Sequence, residues 1–247
     1  MSPLSGVLSE SWTYYRRFAG HFLAISFTIY LVAAVIEALL TAFASTVGYA
    51  LAAVIGYVAL FLVEAALVKA VQDVRDGRAD LDFAETISAG LPNLLPVALA
   101  SILAAIGTII GFALLIVPGF VLLTFWSLIV PCIVIAQSGP FGSFGLSWRT
   151  VRGYAWRVFG TYVLVILIWI AFIIVIGLIL LAIPAAIRNF ISGIVSGTLF
   201  APFLALVVTL IYYRLTGAHA QAAGAGGYGQ YPPPGPGTGQ PPPGEGP

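Results

Sequence analysis

Residues 158–183 read VFGTYVLVILIWIAFIIVIGLILLAI, a run without one charged side chain. A helix crosses the hydrocarbon core of a bilayer with about 20 apolar residues, so this stretch alone is long enough to span. The whole chain agrees with it. A soluble domain carries about a quarter of its residues as charges, whereas these 247 residues are 60% hydrophobic and 8% charged. Working outward, residues 21–44, 47–70, 94–117, 119–136 and 194–215 form five further apolar runs bounded by charges, Pro or Gly. The fold class expected is therefore an all-α integral membrane protein with six transmembrane helices. The first run follows Arg16 and Arg17 and closes on Ala42-Phe43-Ala44, the outline of a secretory signal. It is longer than the 7 to 15 apolar residues of a signal core, so an uncleaved span is expected.

Basic residues set the sidedness. Arg16, Arg17, Lys69, Arg75, Arg78, Arg149, Arg152, Arg157 and Arg214 all fall on one side of the six spans. Arg188 alone falls on the other, and the positive-inside rule makes the richer side, with both termini, cytoplasmic. The chain is thus expected to be a multi-pass membrane protein with its basic side inward. A formal charge of +1 gives no basic surface of the kind nucleic acid requires. One cysteine and two histidines exclude an intramolecular disulfide and make a multi-histidine metal site improbable; no cofactor is expected.

The connections on the basic side are too polar to span and too apolar to be free loops. Between Ser143 and Phe159, Trp148, Val151, Ala155 and Phe159 recur at helical spacing while Arg149, Arg152 and Arg157 take other positions. This predicts one interfacial helix. Trp148, Arg149, Arg152, Trp156 and Arg157 are the candidate lipid-headgroup contacts, although simple anchoring at the inner boundary explains the same residues. Ser11-Trp12 with Arg16, Phe18 and Ala19 aligns without a gap on Ser147-Trp148 with Arg152, Tyr154 and Ala155. Phe83 to Leu91 occupies the equivalent place before the third span. The arrangement expected is three units, each an interfacial helix plus a two-span hairpin, all in one orientation.

Between Gly111 and Gly160 the chain carries Leu114-Leu115-Ile116-Val117-Pro118-Gly119, then Pro131, then Gly139-Pro140, Ser147-Trp148-Arg149, Arg152-Gly153, Trp156-Arg157 and Gly160. This pattern resembles the membrane domain that accompanies some bacterial glycerophosphodiester phosphodiesterases, and related uncharacterised YciC-type inner-membrane families. Relatives commonly have an acidic residue just before the Gly-Pro, where this chain reads Ala136-Gln137-Ser138. A phosphodiesterase barrel needs about 250 residues, which the spans and connections do not leave. The resemblance therefore implies a stand-alone membrane module connected with lipids or envelope upkeep, and it does not transfer the hydrolase activity.

Glu37 and Glu64 are the carboxylates within spans, and charged groups there face a bundle interior or cavity, find a partner or take up a proton. An antiparallel hairpin separates them by about 15 Å along the membrane normal, too far for an acid–base pair. Glu64, close to Lys69 and the inner boundary, reads first as a snorkelling anchor. Glu37 reads equally as a neutral structural hydrogen-bonding group or as part of a polar path. His21 is most simply interfacial, His219 lies in the tail, and Cys132 is a small apolar filler. No His-Glu-x-x-His, Gly-x-Ser-x-Gly or Walker-type lysine loop occurs, so an enzyme is not expected. Gly107 with Gly111, and Gly193 with Gly197, have the spacing that lets helices approach closely. Packing within one chain explains them, and a homo-oligomer stays open. Pro96, Pro131 and Pro202 fall within or near the ends of spans and remove backbone donors there.

From Gly217 the composition turns to Ala, Gly, Gln, Tyr and Pro, with half of the 16 prolines between Pro232 and Pro247. Residues 1–216 are read as the membrane domain and 217–247 as a disordered cytoplasmic tail with polyproline II character. The function expected is a non-enzymatic polytopic membrane protein, structural or lipid-interacting, with membrane lipids as partners. The alternative is a transporter or channel for a small solute or lipid.

Overall fold

A computed structural model describes residues 3–42, 45–78, 80–182 and 185–227. These residues form ten α-helices and no strand. Helix α1 spans Val7–Arg17, α2 Ala19–Thr41 and α3 Thr46–Asp73. Then follow α4 (Phe83–Gly90), α5 (Leu94–Leu114), α6 (Ile116–Phe125) and α7 (Ile129–Val134). The last three are α8 (Pro140–Val151), α9 (Ala155–Ile179) and α10 (Ala185–Gly227). Six stretches are long and apolar enough to cross a membrane: α2, α3, the run Ala84–Leu114, the run Ile116–Val134, α9 and Ser192–Ala222 of α10. Phe43 and Ala44 of the small-x-small segment, the Arg188 side chain and residues 228–247 lie outside the described set.

The element boundaries have local causes. Ser45 caps α3 by accepting from the Gly48 N–H at 3.0 Å. Asp82 and Glu85 close a reciprocal capping box on α4, at 2.8 and 3.0 Å. Leu115, extended at φ −160°, breaks α5 from α6, and the two helices fold back so closely that Gly111 meets the Gly119 backbone. A Cβ on Gly111 would stand 3.2 Å from that backbone, so the turn depends on its glycines.

Packing divides the spans into an inner and an outer set. The second helical span of each consecutive pair has 44%, 39% and 44% of its most apolar stretch buried, against 22%, 17% and 6% for the first. The inner helices α3, α7 and α10 each touch the other two. The short helices then lie against inner helices: α4 on α3, α8 on α7 and α1 on α10. The contact of α4 is especially close, because a Cβ on Gly90 would come within 3.0 Å of the Ala66 backbone. Arg214 of α10 forms an ion pair with Glu10 of α1 and donates to the Pro3 and Ser5 carbonyls, which ties the start of the described chain to α10.

Two sequence expectations are corrected. The interfacial helix read between Ser143 and Phe159 is two helices, because Gly153 at φ +90° turns the chain between α8 and α9. Trp148 and Val151 therefore belong to one helix and Ala155 and Phe159 to the next. The second correction concerns Gly217, where the tail was expected to begin. Helix α10 continues to Gly227, carried by the Ala-rich residues that follow, which favour helix. His219 is not a tail residue: its ring nitrogen lies 3.0 Å from the Thr150 carbonyl, with the ring edge on Tyr154.

Candidate functional site

Proline chemistry shapes the middle of the bundle. Pro202, inside α10, has no N–H for the Thr198 carbonyl, and the Ser127 carbonyl lies in the break between α6 and α7. Neighbouring helices supply the missing donors: Tyr162 Oη of α9 reaches the Ser127 oxygen at 3.2 Å, and Ser26 Oγ of α2 reaches that of Thr198 at 3.0 Å. The break between α6 and α7 is closed further by buried Ser147. Its hydroxyl donates to the Phe125 carbonyl at 2.7 Å and accepts from the Leu128 N–H at 3.2 Å. Such non-helical backbone is tolerated at membrane depth only where protein or a cavity satisfies it.

A cavity of about 220 Å³ lies where the inner helices meet. Its polar lining is Glu64 of α3, Tyr30 of α2, Ser127 at the α6–α7 break and Tyr162 of α9; the rest is Leu, Val and Ala from α3, α7 and α10. Glu64 Oε2 is buried there and makes no hydrogen bond. The anchor reading of Glu64 gives way for that reason: the carboxyl turns inward, while Lys69 bonds to Gln72 at 3.4 Å on its own helix.

Glu37 occupies a different compartment, a wider groove of about 710 Å³ between α2 and α3 that also holds Thr41 and Tyr57. A Cβ on Gly56 would stand 2.9 Å from Glu37 Oε1, so Gly56 leaves room for the carboxyl. From Gly56 to Glu64 the helix rises by about 12 Å, which keeps the two acids apart as the spacing implied. The compartments nevertheless adjoin, because Tyr30 and Leu60 line both.

Two further grooves are almost wholly apolar and open at the bundle surface. One, about 580 Å³, lies between α1, α9 and α10 and includes Trp12, Tyr15, Phe172 and Phe203. Tyr15 donates to the Leu199 carbonyl at 3.0 Å, and burial holds its phenol above the usual range. The other, about 390 Å³, lies between α6 and the start of α9 and includes Phe120, Phe125, Trp156 and Phe159. Trp148 stacks on Phe125 with ring centroids 4.0 Å apart, and Trp156 is 84% exposed. Arg149, Arg152 and Arg157 are exposed around this second groove's end of the bundle, with Arg149 Nε on the Gly145 carbonyl at 3.3 Å.

Of the residues singled out in the sequence, Trp148 and Trp156 thus come to one region, whereas Glu37 and Glu64 do not share a site. Tyr30, Ser127 and Tyr162 are not singled out by the sequence, and Ser147 only as part of an aligned motif. The available signals are a proline within a helix, which orphans the carbonyl four residues earlier as Pro202 does, and a tyrosine in an apolar helix, whose hydroxyl needs a partner. Gln137, shortly before the Gly139-Pro140 pair, has φ +52° and donates its side-chain amide to the Val134 carbonyl at 2.7 Å. A carboxylate there could not make that bond. No group of three His, Cys, Asp or Glu side chains placed to hold a metal occurs among the described residues. No family model, curated protein or solved structure matches this chain.

Proposed function

We propose that this chain is a non-enzymatic, lipid-interacting, multi-pass protein of a bacterial cytoplasmic membrane. The observation that carries this reading is the pair of apolar grooves, each with a tryptophan from the basic end of the bundle, Trp12 or Trp156. Their dimensions and lining suit acyl chains, and tryptophan and arginine at one end suit the headgroup level. Contacts from Arg17 to Gly77, Arg75 to Tyr213 and Arg214 to Ser5 gather the basic residues at that end, which supports cytoplasmic termini. The three-unit reading draws support from the short helices, each lying on the inner helix of the preceding pair in cyclic order. Ser11 and Ser147, aligned in the sequence, are both fully buried. The resemblance of residues 111–160 to the phosphodiesterase-associated membrane domain fits the same lipid-linked role.

The test is photo-crosslinking of a phospholipid carrying a diazirine in its acyl chain, with the full chain in nanodiscs. Label concentrated on Phe172, Phe203, Phe120 and Phe159 supports the reading; label spread evenly over α2, α5 and α9 overturns it. A second reading, transport of a small solute, draws on the adjoining Glu37 and Glu64 compartments. It requires that Glu37→Gln abolish flux in liposomes while the fold is kept.

A further inference from the structure

The Glu64 cavity has a chemistry that lipid binding does not explain. Its carboxyl is the sole Asp or Glu among the lining residues, and no Lys, Arg or His joins it there. The titratable groups that face it are Tyr30 from α2 and Tyr162 from α9, while α7 and α10 present only apolar side chains. Tyr162 has already given its hydrogen to the Ser127 carbonyl, and Ser127 Oγ has given its own to the Thr124 carbonyl at 2.8 Å. Glu64 Oε2 receives no hydrogen bond at all. An ionised carboxylate so placed has no counter-ion, and its Oε2 has no hydrogen bond, the two things that make a buried charge tolerable.

One positive charge resolves this, and the cavity decides which kind. An alkali ion must exchange its hydration shell for protein oxygens. Here the lining offers one carboxyl, two phenols and one hydroxyl among Leu, Val and Ala. A proton needs only the carboxyl oxygen. It also needs a way in, and Tyr30 and Leu60 form the wall shared with the Glu37 groove, which is open to the outside of the bundle. Tyr30 is held in that wall by Gly197 of α10, where a Cβ would stand 2.8 Å from its ring.

We propose that the axial cavity is a proton-binding site, in which Glu64 Oε2 takes one proton from water entering by the Glu37 groove past Tyr30. The step is a simple transfer: hydronium gives its proton to the carboxylate and leaves as water. No other group in the cavity changes charge. The site stands whether or not lipid fills the outer grooves.

The experiment uses the full chain in liposomes and dicyclohexylcarbodiimide, an apolar reagent that adds to protonated carboxyls. Peptide mass spectrometry locates the adduct. The expected result is labelling of Glu64 that falls at least tenfold as the pH is raised, is absent in Glu64→Gln and persists in Glu37→Gln. Replacing choline chloride by sodium chloride at fixed pH should leave it unchanged; protection by sodium would assign the cavity to an alkali ion and overturn the proposal. Infrared difference spectra between acid and alkaline pH provide the second readout and do not depend on reagent access. A carbonyl band of a protonated carboxyl that vanishes in Glu64→Gln and shifts in Glu64→Asp is expected. Wild-type protein without such a band at any pH overturns the proposal.

Discussion

Tyr162 donates its phenolic hydrogen to the Ser127 carbonyl at 3.2 Å, and that carbonyl is free to accept because it lies in the break between α6 and α7. Hydrogen bonds between membrane helices contribute about 0.6 kcal/mol on average and up to about 1.7. Tyr162→Phe should therefore destabilise the protein by about 1 kcal/mol in reversible unfolding from mixed micelles. A Tyr162→Phe protein as stable as wild type would show that this bond contributes nothing to the fold.

Ser147 ties both sides of the α6–α7 break, so Ser147→Ala leaves a part-buried carbonyl and a buried N–H without partners. We expect a loss of about 2 kcal/mol, larger than for Tyr162→Phe. Backbone amide exchange should rise locally at Leu128. Exchange that stays unchanged there would show that the break is held by other contacts.

Gly193 and Gly197 share one sequence motif and differ in surroundings. A Cβ at position 197 would stand 2.8 Å from the Tyr30 ring, whereas at position 193 nothing lies within 4 Å. Gly197→Ala should cost about 1 to 3 kcal/mol through overpacking, and Gly193→Ala should be neutral or slightly stabilising through its better helix propensity. Equal effects on thermal stability would contradict this assignment. A cost confined to Gly193, with loss of a higher-mass species, would point to contact between copies of the chain.

Arg149, Arg152 and Arg157 stand exposed near the groove of Phe120 and Trp156. Changing all three to Gln should lower retention of anionic phospholipid in native mass spectrometry several-fold and leave zwitterionic lipid unaffected. Parallel loss of both lipids would reduce their role to general anchoring. Their exposure makes a large effect on folding stability unexpected.

What could be read in the chain follows from how each signal is encoded. The spans were legible because an apolar run is a local property, and residues 158–183 declare themselves without reference to any neighbour. The break at Gly153 is also local, yet Trp148, Val151, Ala155 and Phe159 keep helical spacing across it, so the sequence predicts one helix where two exist. The end of α10 lies beyond the composition change at Gly217, because Ala-rich residues extend the helix toward the Gly- and Pro-rich far tail.

Composition and run length act residue by residue, so they suffice to mark the six apolar helices and the costly residues within them, Glu37 and Glu64. What those residues face is a property of the packing. Whether Glu64 turns to the inner boundary or to a cavity depends on the rotation of α3 against α2, α7, α9 and α10, and an almost uniformly apolar helix carries no periodicity to reveal that rotation. The partners of the unpaired carbonyls, Tyr162 for Ser127 and Ser26 for Thr198, are likewise set by packing between helices far apart in the chain.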